Sequence, residues 1–382
     1  MPVLGLAAVA ALAAWLAILI LPARAWSTRE RIAPLCDAVA NPDLARVAVL
    51  IPARNEADAI PATLAALAEQ GRNLEVVVVD DESDDRTDVA ALEAHATLAR
   101  SLDLKLIRGQ PLPAGWGGKL WALEQGFARV NRDYCLLLDA EIVLAPGMIA
   151  ALLHKSESED RALVSVMARL NCESGWERLL VPPFVFFFKL LYPFASVNLP
   201  GRRTAAAAGG CILIRTAVLR QLGGFAAHRD ALIDDCTLAA RVKRAGHSIW
   251  LGLSEFVASR RAYPDFASFR RMVTRTAFTQ LGYSTPVLLA VIVLMLLVFV
   301  VPWAAFLVGG FSPPGLIGGV TIAAMSAAYW PTVKFYRLPA IHVLSLPVAA
   351  MLFLAMTIES AISHWRGTTA RWKGRSYASG AS

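Results

Sequence analysis

Hydrophobic positions fall along this chain in two distinct ways. At the two ends they run on without interruption: Met1 to Leu21 carries no charge before Pro22, and Ser284 to Pro331 carries none either. About 20 apolar residues are enough to cross a ~30 Å hydrocarbon core. Residues 1–22 therefore predict a transmembrane anchor, and they lack the charged start of a cleaved leader. Pro286–Gly309 predicts a second span. Phe311–Trp330, crowded by Pro313, Pro314, Gly315, Gly318 and Gly319, predicts a weaker one, and Ala340–Ser363 holds Pro347 inside it and Glu359 near its end. Residues 284–363 thus read as a membrane region of two or three segments.

Between Arg46 and Tyr263 the pattern changes to short β-branched runs separated by helical periodicity. That alternation predicts an α/β domain over 46–263 with a mainly parallel sheet. Strands are predicted at Arg46–Pro52, Leu74–Asp80, Asp103–Arg108 and Tyr134–Asp139, and helices at Ala57–Gln70, Asp85–Arg100 and Gly118–Val130. The unbroken apolar character of these strands suits burial on both faces. A small-residue strand at Ala205–Arg215 and a helix at Asp234–Gly246 follow. Residues 181–197 are intensely aromatic but interrupted by Pro182, Pro183, Lys189 and Pro193. They read as an interfacial segment that admits a lipid, with a buried core helix as the competing reading. Arg260, Arg261, Arg270, Arg271 and Arg275, interleaved with Tyr263, Phe266, Phe269 and Phe278, predict a juxtamembrane amphipathic helix over 264–283.

Composition sharpens this picture. Of 382 residues 56% are apolar and only 18% charged, where a soluble domain carries roughly 25% charged; disorder and a small disulfide scaffold are both excluded. The five cysteines are odd in number and show no C-x-x-C spacing, so no zinc or redox motif follows and a reducing compartment is implied. A net charge of +7 raises nucleic acid as a partner. That partner explains neither the apolar runs nor the aromatics, and it is rejected. Arg24, Arg29 and Arg31 place the domain after the anchor in the cytoplasm of a multi-pass inner (plasma) membrane protein. The basic tail, 364–382, with Arg366, Arg371, Lys373 and Arg375, asks for the same side. One anchor plus three crossings denies it that side, whereas a re-entrant hairpin hinged at Pro347 restores it.

In open α/β sheets ligands bind beyond the carboxyl ends of the strands, and acids gather there. The first strand ends in Pro52-Ala53-Arg54-Asn55-Glu56, the second in Asp80-Asp81-Glu82-Ser83-Asp84-Asp85, and the fourth in Asp139-Ala140-Glu141. Helix capping accounts for Ser83–Asp85 alone. It does not account for the whole set, because clustered carboxylates are costly without a cation or ligand. Asp139 and Glu141 share one side of an extended segment and form a donor pair for Mg²⁺ or Mn²⁺. Asp234-Asp235 opens a helix; Asp234 reads as a cap, and Asp235, its pKa raised by its neighbour, as a candidate general base. Gly209-Gly210 marks a place of close approach. The histidines show no ligand spacing, and His228 reads as a satisfied surface residue.

Taken in order, I-P-A-R-N-E, D-D-E-S-D-D-R-T, G-W-G-G-K-L-W-A-L, D-A-E, G-G-C and D-D-x-x-L-x-x-R resemble the family 2 glycosyltransferases with a GT-A fold. Gly115–Ala122, Arg275–Leu281 and Trp372–Tyr377 resemble in particular the hopanoid-biosynthesis-associated membrane members. The resemblance implies that Pro52, Arg54, Glu56, Asp80 and Asp81 line a nucleoside pocket and that Lys119 lies near the nucleotide. It also implies that Asp139 and Glu141 hold a divalent metal (Mg or Mn) on the diphosphate, and that Asp235 deprotonates the acceptor. The implied activity is inverting transfer from a nucleotide-sugar donor, a UDP-sugar being the expected one, to a lipid acceptor such as a hopanoid or other isoprenoid. Arg275 matches the arginine of the family's Q-x-x-R-W motif, but Met272 stands for Gln and Thr276 for Trp. Since that motif marks processive polysaccharide synthases, its decay favours transfer of a single sugar and leaves the role of Arg275 open. Three alternatives remain: a processive synthase, a nucleotidyltransferase (which would want a glycine-rich loop where Pro52–Glu56 stands), and a lipid-binding membrane scaffold with no catalytic role.

Overall fold

The computed structural model describes residues 2–35, 41–98 and 102–367, and the backbone of 371–372 and 375–376. Cys36, most of the basic tail and half of the Trp372–Tyr377 segment lie outside the described residues. The chain divides into two compact units.

One unit, built on Glu30–Asn171 and Val197–Ala262, carries an eight-stranded sheet. Its strands are β1 (Val47–Ala53), β2 (Glu75–Asp80), β3 (Asp103–Arg108), β4 (Tyr134–Leu138), β5 (Ile142–Leu144), β6 (Leu163–Arg169), β7 (Cys211–Arg215) and β8 (Ile249–Ser259). They lie in the order β3-β2-β1-β4-β7-β6-β8-β5. The first four are parallel, as their apolar runs predict: every residue of β1, β2 and β4 is buried. The far half corrects the expectation of a mainly parallel sheet. β7 enters antiparallel to both β4 and β6, β5 is antiparallel to β8, and only β6 and β8 run parallel there. The sheet is mixed. The predicted strand at Ala205–Arg215 shrinks to β7, and residues 203–208 before it form no regular element.

Helices Ile60–Ala68, Thr87–Thr97 and Gly118–Phe127 occupy the predicted places with shorter ends. Gly118–Phe127 lies close against the sheet. A Cβ on Gly126 would stand 2.3 Å from Leu50 Cδ1 and 2.7 Å from Val79 Cγ2, both in fully buried strand residues. Gly126→Ala is therefore expected to destabilise the protein by about 1–3 kcal/mol through overpacking. Differential scanning fluorimetry of the detergent-purified chain checks this; an unchanged midpoint would show that the helix can slide away from the sheet.

The second unit, Met1–Arg29, Cys172–Ser196 and Tyr263–Thr368, is helical. Among the described residues four of its helical stretches are long and apolar enough to cross a membrane: Val3–Ile20, Thr285–Gly309, Pro313–Phe335 and Ala340–Trp365. The second contains a π segment, Leu296–Val300, followed by Pro302. Pro302 has no N–H to give the carbonyl four residues back, and the indole of Trp15 donates to that carbonyl, Val298 O, at 2.9 Å. The glycines that weakened the third span in sequence have a packing use. A Cβ on Gly318 would stand 2.5 Å from Pro302 O, so its absence lets the two helices touch. Pro347 corrects the hinge expected there. It sits in the first turn of an unbroken helix, Leu346–Trp365, where no N–H is needed.

The aromatic stretch is also helical through both prolines, and it starts earlier than its composition suggests. The helix Gly175–Leu191 opens on a capping box in which Glu177 accepts from Ser174 N at 2.8 Å and Ser174 Oγ from Glu177 N at 3.1 Å. It buries Leu180, Val181, Val185, Phe186 and Lys189. Lys189 Nζ donates to Thr332 Oγ1 at 3.0 Å and Trp26 O at 3.2 Å. Residues 264–283 form two short helices, Phe266–Thr274 and Ala277–Gln280. Arg275 caps the first of these, within the helical unit.

Candidate active site

The reversal of direction at β7 builds the site. Leu138, the last residue of β4, pairs with Cys211, the first of β7, and Asp139 N donates to Gly210 O at 3.1 Å. The carboxyl end of the parallel strands thus faces the turn Gly209–Gly210. Asp139 leaves the end of β4, Lys119 comes from the helix Gly118–Phe127, and Asp234 and Asp235 open the helix Asp234–Arg244. These four side chains line one cavity together with Pro52, Gly209, Phe225 and His228.

Lys119 holds this group together electrostatically. Its Nζ lies 2.7 Å from Asp139 Oδ1 and 4.0 Å from Asp234 Oδ2. Burial alone would lower its pKa, but Asp139, Asp234 and Asp235 outweigh that and hold it firmly charged. Asp235 is pushed the other way. Burial, then the charge of Asp234, raise its pKa to about 7, against the opposing pull of the Cys236 N–H, Lys119 and Gly209. Cys236 N donates to Asp235 Oδ1 at 2.7 Å.

A second cluster sits at the ends of β1 and β2, whose last residues Ala53 and Asp80 are in register. Asp80 is buried and accepts from Ser83 Oγ; its pKa is raised, chiefly by that burial. Arg54 donates to Asp81 O and, at 2.9 Å, to Glu82 O, and its guanidinium lies 3.9 Å from the buried Asp81 carboxylate. Asp85 proves structural, as capping chemistry suggests: it accepts from Thr87 N at 3.1 Å and Ala57 N at 2.9 Å, tying the two strand-end loops together. Glu56 and Glu141 are bridged by Arg261, at 3.1 and 3.3 Å.

Arg261 was not legible as a site residue, because in sequence it belongs to the arginine-rich run before the spans. Its position two residues past the end of β8 is the signal that finds it. His228 is a correction: it is buried, 6% exposed, and neither ring nitrogen has a hydrogen-bond partner. Asp234 makes no side-chain cap to its helix; it faces Lys119 instead.

Among the described residues no three His, Cys, Asp or Glu side chains come together as a metal cage. Asp139 offers Oδ2 beside the Oδ1 taken by Lys119, and Glu141 is held by Arg261. A pair of hard oxygen donors fits Mg²⁺ or Mn²⁺ only where a ligand's phosphates complete the shell, the habit of these ions.

Residues 48–223 match the family model described as Glycosyl transferase family 2. Probable glycosyltransferase YdaM of Bacillus subtilis is 29% identical over 215 residues, 54% of this chain and 49% of its own. Undecaprenyl-phosphate 4-deoxy-4-formamido-L-arabinose transferase of Klebsiella pneumoniae is 31% identical over 121 residues, 30% of this chain and 35% of its own. The chain thus spans half or less of the length of these relatives. In fold it is similar to mannosyltransferase PcManGT from Pyrobaculum calidifontis, solved in complex with GDP-Man and Mn²⁺: TM-score 0.58, 20% identity, covering 95% of this chain and 99% of that one.

Proposed function

We propose, on the premise that residues 48–223 form a family 2 glycosyltransferase domain, that the chain is a membrane-bound inverting glycosyltransferase. It moves one sugar from a nucleotide-sugar donor, a UDP-sugar foremost, to the hydroxyl of a lipid, a hopanoid or other isoprenoid. The observation that carries the reading is the placement of Asp235, with a pKa of about 7, beside Lys119 and Asp139 in one cavity. A base poised near neutrality and a fixed cation are what an in-line displacement at an anomeric carbon needs.

In that reading Asp235 takes the acceptor hydroxyl's proton as its oxygen bonds to the anomeric carbon. The bond from that carbon to the diphosphate breaks on the opposite face, which inverts the configuration. Lys119 faces the departing diphosphate. Pro52, Arg54, Glu56, Asp80 and Asp81 hold the nucleoside, and Asp139 and Glu141 would hold the metal, whose charge stabilises the leaving group when bound. Arg261 keeps Glu56 and Glu141 at fixed separation. Four membrane-length helices and a relative named for undecaprenyl phosphate support the lipid acceptor. Arg24, Arg29 and Arg31, with Lys334 and Arg337 between the last two spans, support a cytoplasmic sheet unit in an inner membrane.

Thermal stabilisation of the detergent-purified protein by UDP, GDP, CDP and dTDP, with and without Mn²⁺, tests this reading. A ligand bound only by the native state at a hundred times its Kd adds about 2.7 kcal/mol. One nucleotide is expected to raise the midpoint in a metal-dependent way, and Asp139→Ala to abolish the rise. No response from folded wild-type protein to any nucleotide sinks the proposal and returns the lipid-binding scaffold.

A further inference from the structure

We propose that His228 is a specificity-determining residue of this site, which reads a hydroxyl of the transferred sugar. The inference rests on the glycosyltransferase reading above. His228 closes the short 3₁₀ turn Ala226–His228 and lines the same cavity as Lys119, Asp139 and Asp235. The residue is 6% exposed, yet Nδ1 and Nε2 both lack a hydrogen-bond partner. A buried polar atom left unsatisfied is costly, so two on one ring call for a ligand that satisfies them.

The ring is held without help from its own nitrogens. Glu124 Oε2 accepts from Phe225 N at 2.8 Å and from Ala226 N at 3.2 Å, and Gly117 N donates to Arg229 O at 2.7 Å. Both ends of the turn are thereby tied to the helix that carries Lys119. Burial lowers the imidazole's pKa, with Arg241 adding to the effect and Asp234 and Asp230 opposing it.

A neutral imidazole offers one donor and one acceptor. That pair matches a hydroxyl, which has one of each, and it does not match a diphosphate, whose oxygens only accept. Lys119 already supplies the charge a diphosphate wants. The acceptor's reacting hydroxyl belongs to Asp235, which leaves the hydroxyls of the sugar for His228.

The test uses the full-length protein in detergent and two variants, His228→Ala and His228→Gln, the second keeping a donor and an acceptor. Stabilisation is titrated first with the nucleoside diphosphate to which wild type responds, then with its glucose, galactose, mannose and N-acetylglucosamine derivatives. The nucleoside diphosphate is expected to bind all three proteins equally. His228→Ala is expected to lose about tenfold or more in affinity for the preferred nucleotide-sugar and to flatten the ranking of sugars, and His228→Gln to recover part of both. Should His228→Ala not fold, the altered ranking in His228→Gln decides. Wild-type sugar affinities and ranking in the variants overturn the inference, as does a parallel loss of nucleoside diphosphate binding, which marks a merely structural residue. A wild-type protein that binds no nucleotide overturns the parent reading, and this inference with it.

Discussion

Asp235→Asn is expected to slow sugar transfer by about a thousandfold while leaving donor binding intact. The amide keeps the size of the carboxylate and can still accept from Cys236 N, which lies 2.7 Å from Asp235 Oδ1, so the fold is spared. What goes is the proton acceptor, and positioned general bases contribute roughly 10²–10⁴-fold. With the carboxyl's pKa raised to about 7, only the deprotonated form works. The rate is therefore expected to rise with pH through about 7 and to fall on the acid side. In Asp235→Asn that acid limb disappears along with the rate. Initial rates from pH 5.5 to 9 check both outcomes, and a variant within tenfold of wild type with its acid limb intact would place the base elsewhere.

Lys119→Met should have the next largest effect. Without the ammonium, Asp139, Asp234 and Asp235 face one another with no cation between them. A charge removed from beside a departing diphosphate costs about 10²–10³-fold in turnover. A second signature separates this from a loss of packing. Lys119 lowers the pKa of Asp235, so its removal moves the acid limb of the rate profile to higher pH. Lys119→Arg keeps the charge but replaces a compact ammonium with a planar fork, and it should retain the limb near its original position at a reduced rate. An unmoved limb in Lys119→Met would show that the ammonium does not act on Asp235.

Three strands of the parallel half were readable because β1, β2 and β4 are buried on both faces and their sequences say so without interruption. β3, expected to be buried likewise, lies at the sheet edge and is exposed or half-buried throughout, in keeping with the charges of Asp103, Lys105 and Arg108. The carboxylates at the strand ends were readable for a related reason: apolar strands ending in acids leave those acids at one edge. The reversal at β7 was not readable. Strand direction is set by which partners close the core, and Ala205–Arg215 reads the same either way. Arg261 and His228 were hidden by the same kind of fact. Each is placed by residues more than 100 positions away, Glu56 and Glu141 in one case and, through the Phe225 N–H, Glu124 in the other. The helix Gly175–Leu191 runs straight through prolines that its composition presents as interruptions. A strong capping box and a buried face outweigh two missing N–H groups, which local propensity cannot weigh.

The interleaving of the two units sets a timetable for the chain as it is made. The helix Gly175–Leu191 packs Phe186 against Tyr329 at a ring separation of 5.3 Å, but the ribosome reaches residue 329 on the order of ten seconds after residue 186. The sheet, meanwhile, lacks β8 until residues 249–259 emerge. The aromatic helix is thus complete in sequence while the sheet is still unfinished, a delay that favours early insertion into the bilayer or capture by a chaperone. A gene truncated before residue 263 makes the wait for Tyr329 permanent. Its product keeps the residues of all eight strands but leaves Phe186 without Tyr329, so a soluble fragment of the sheet unit is expected to need redesign of 172–196 and not merely removal of the spans.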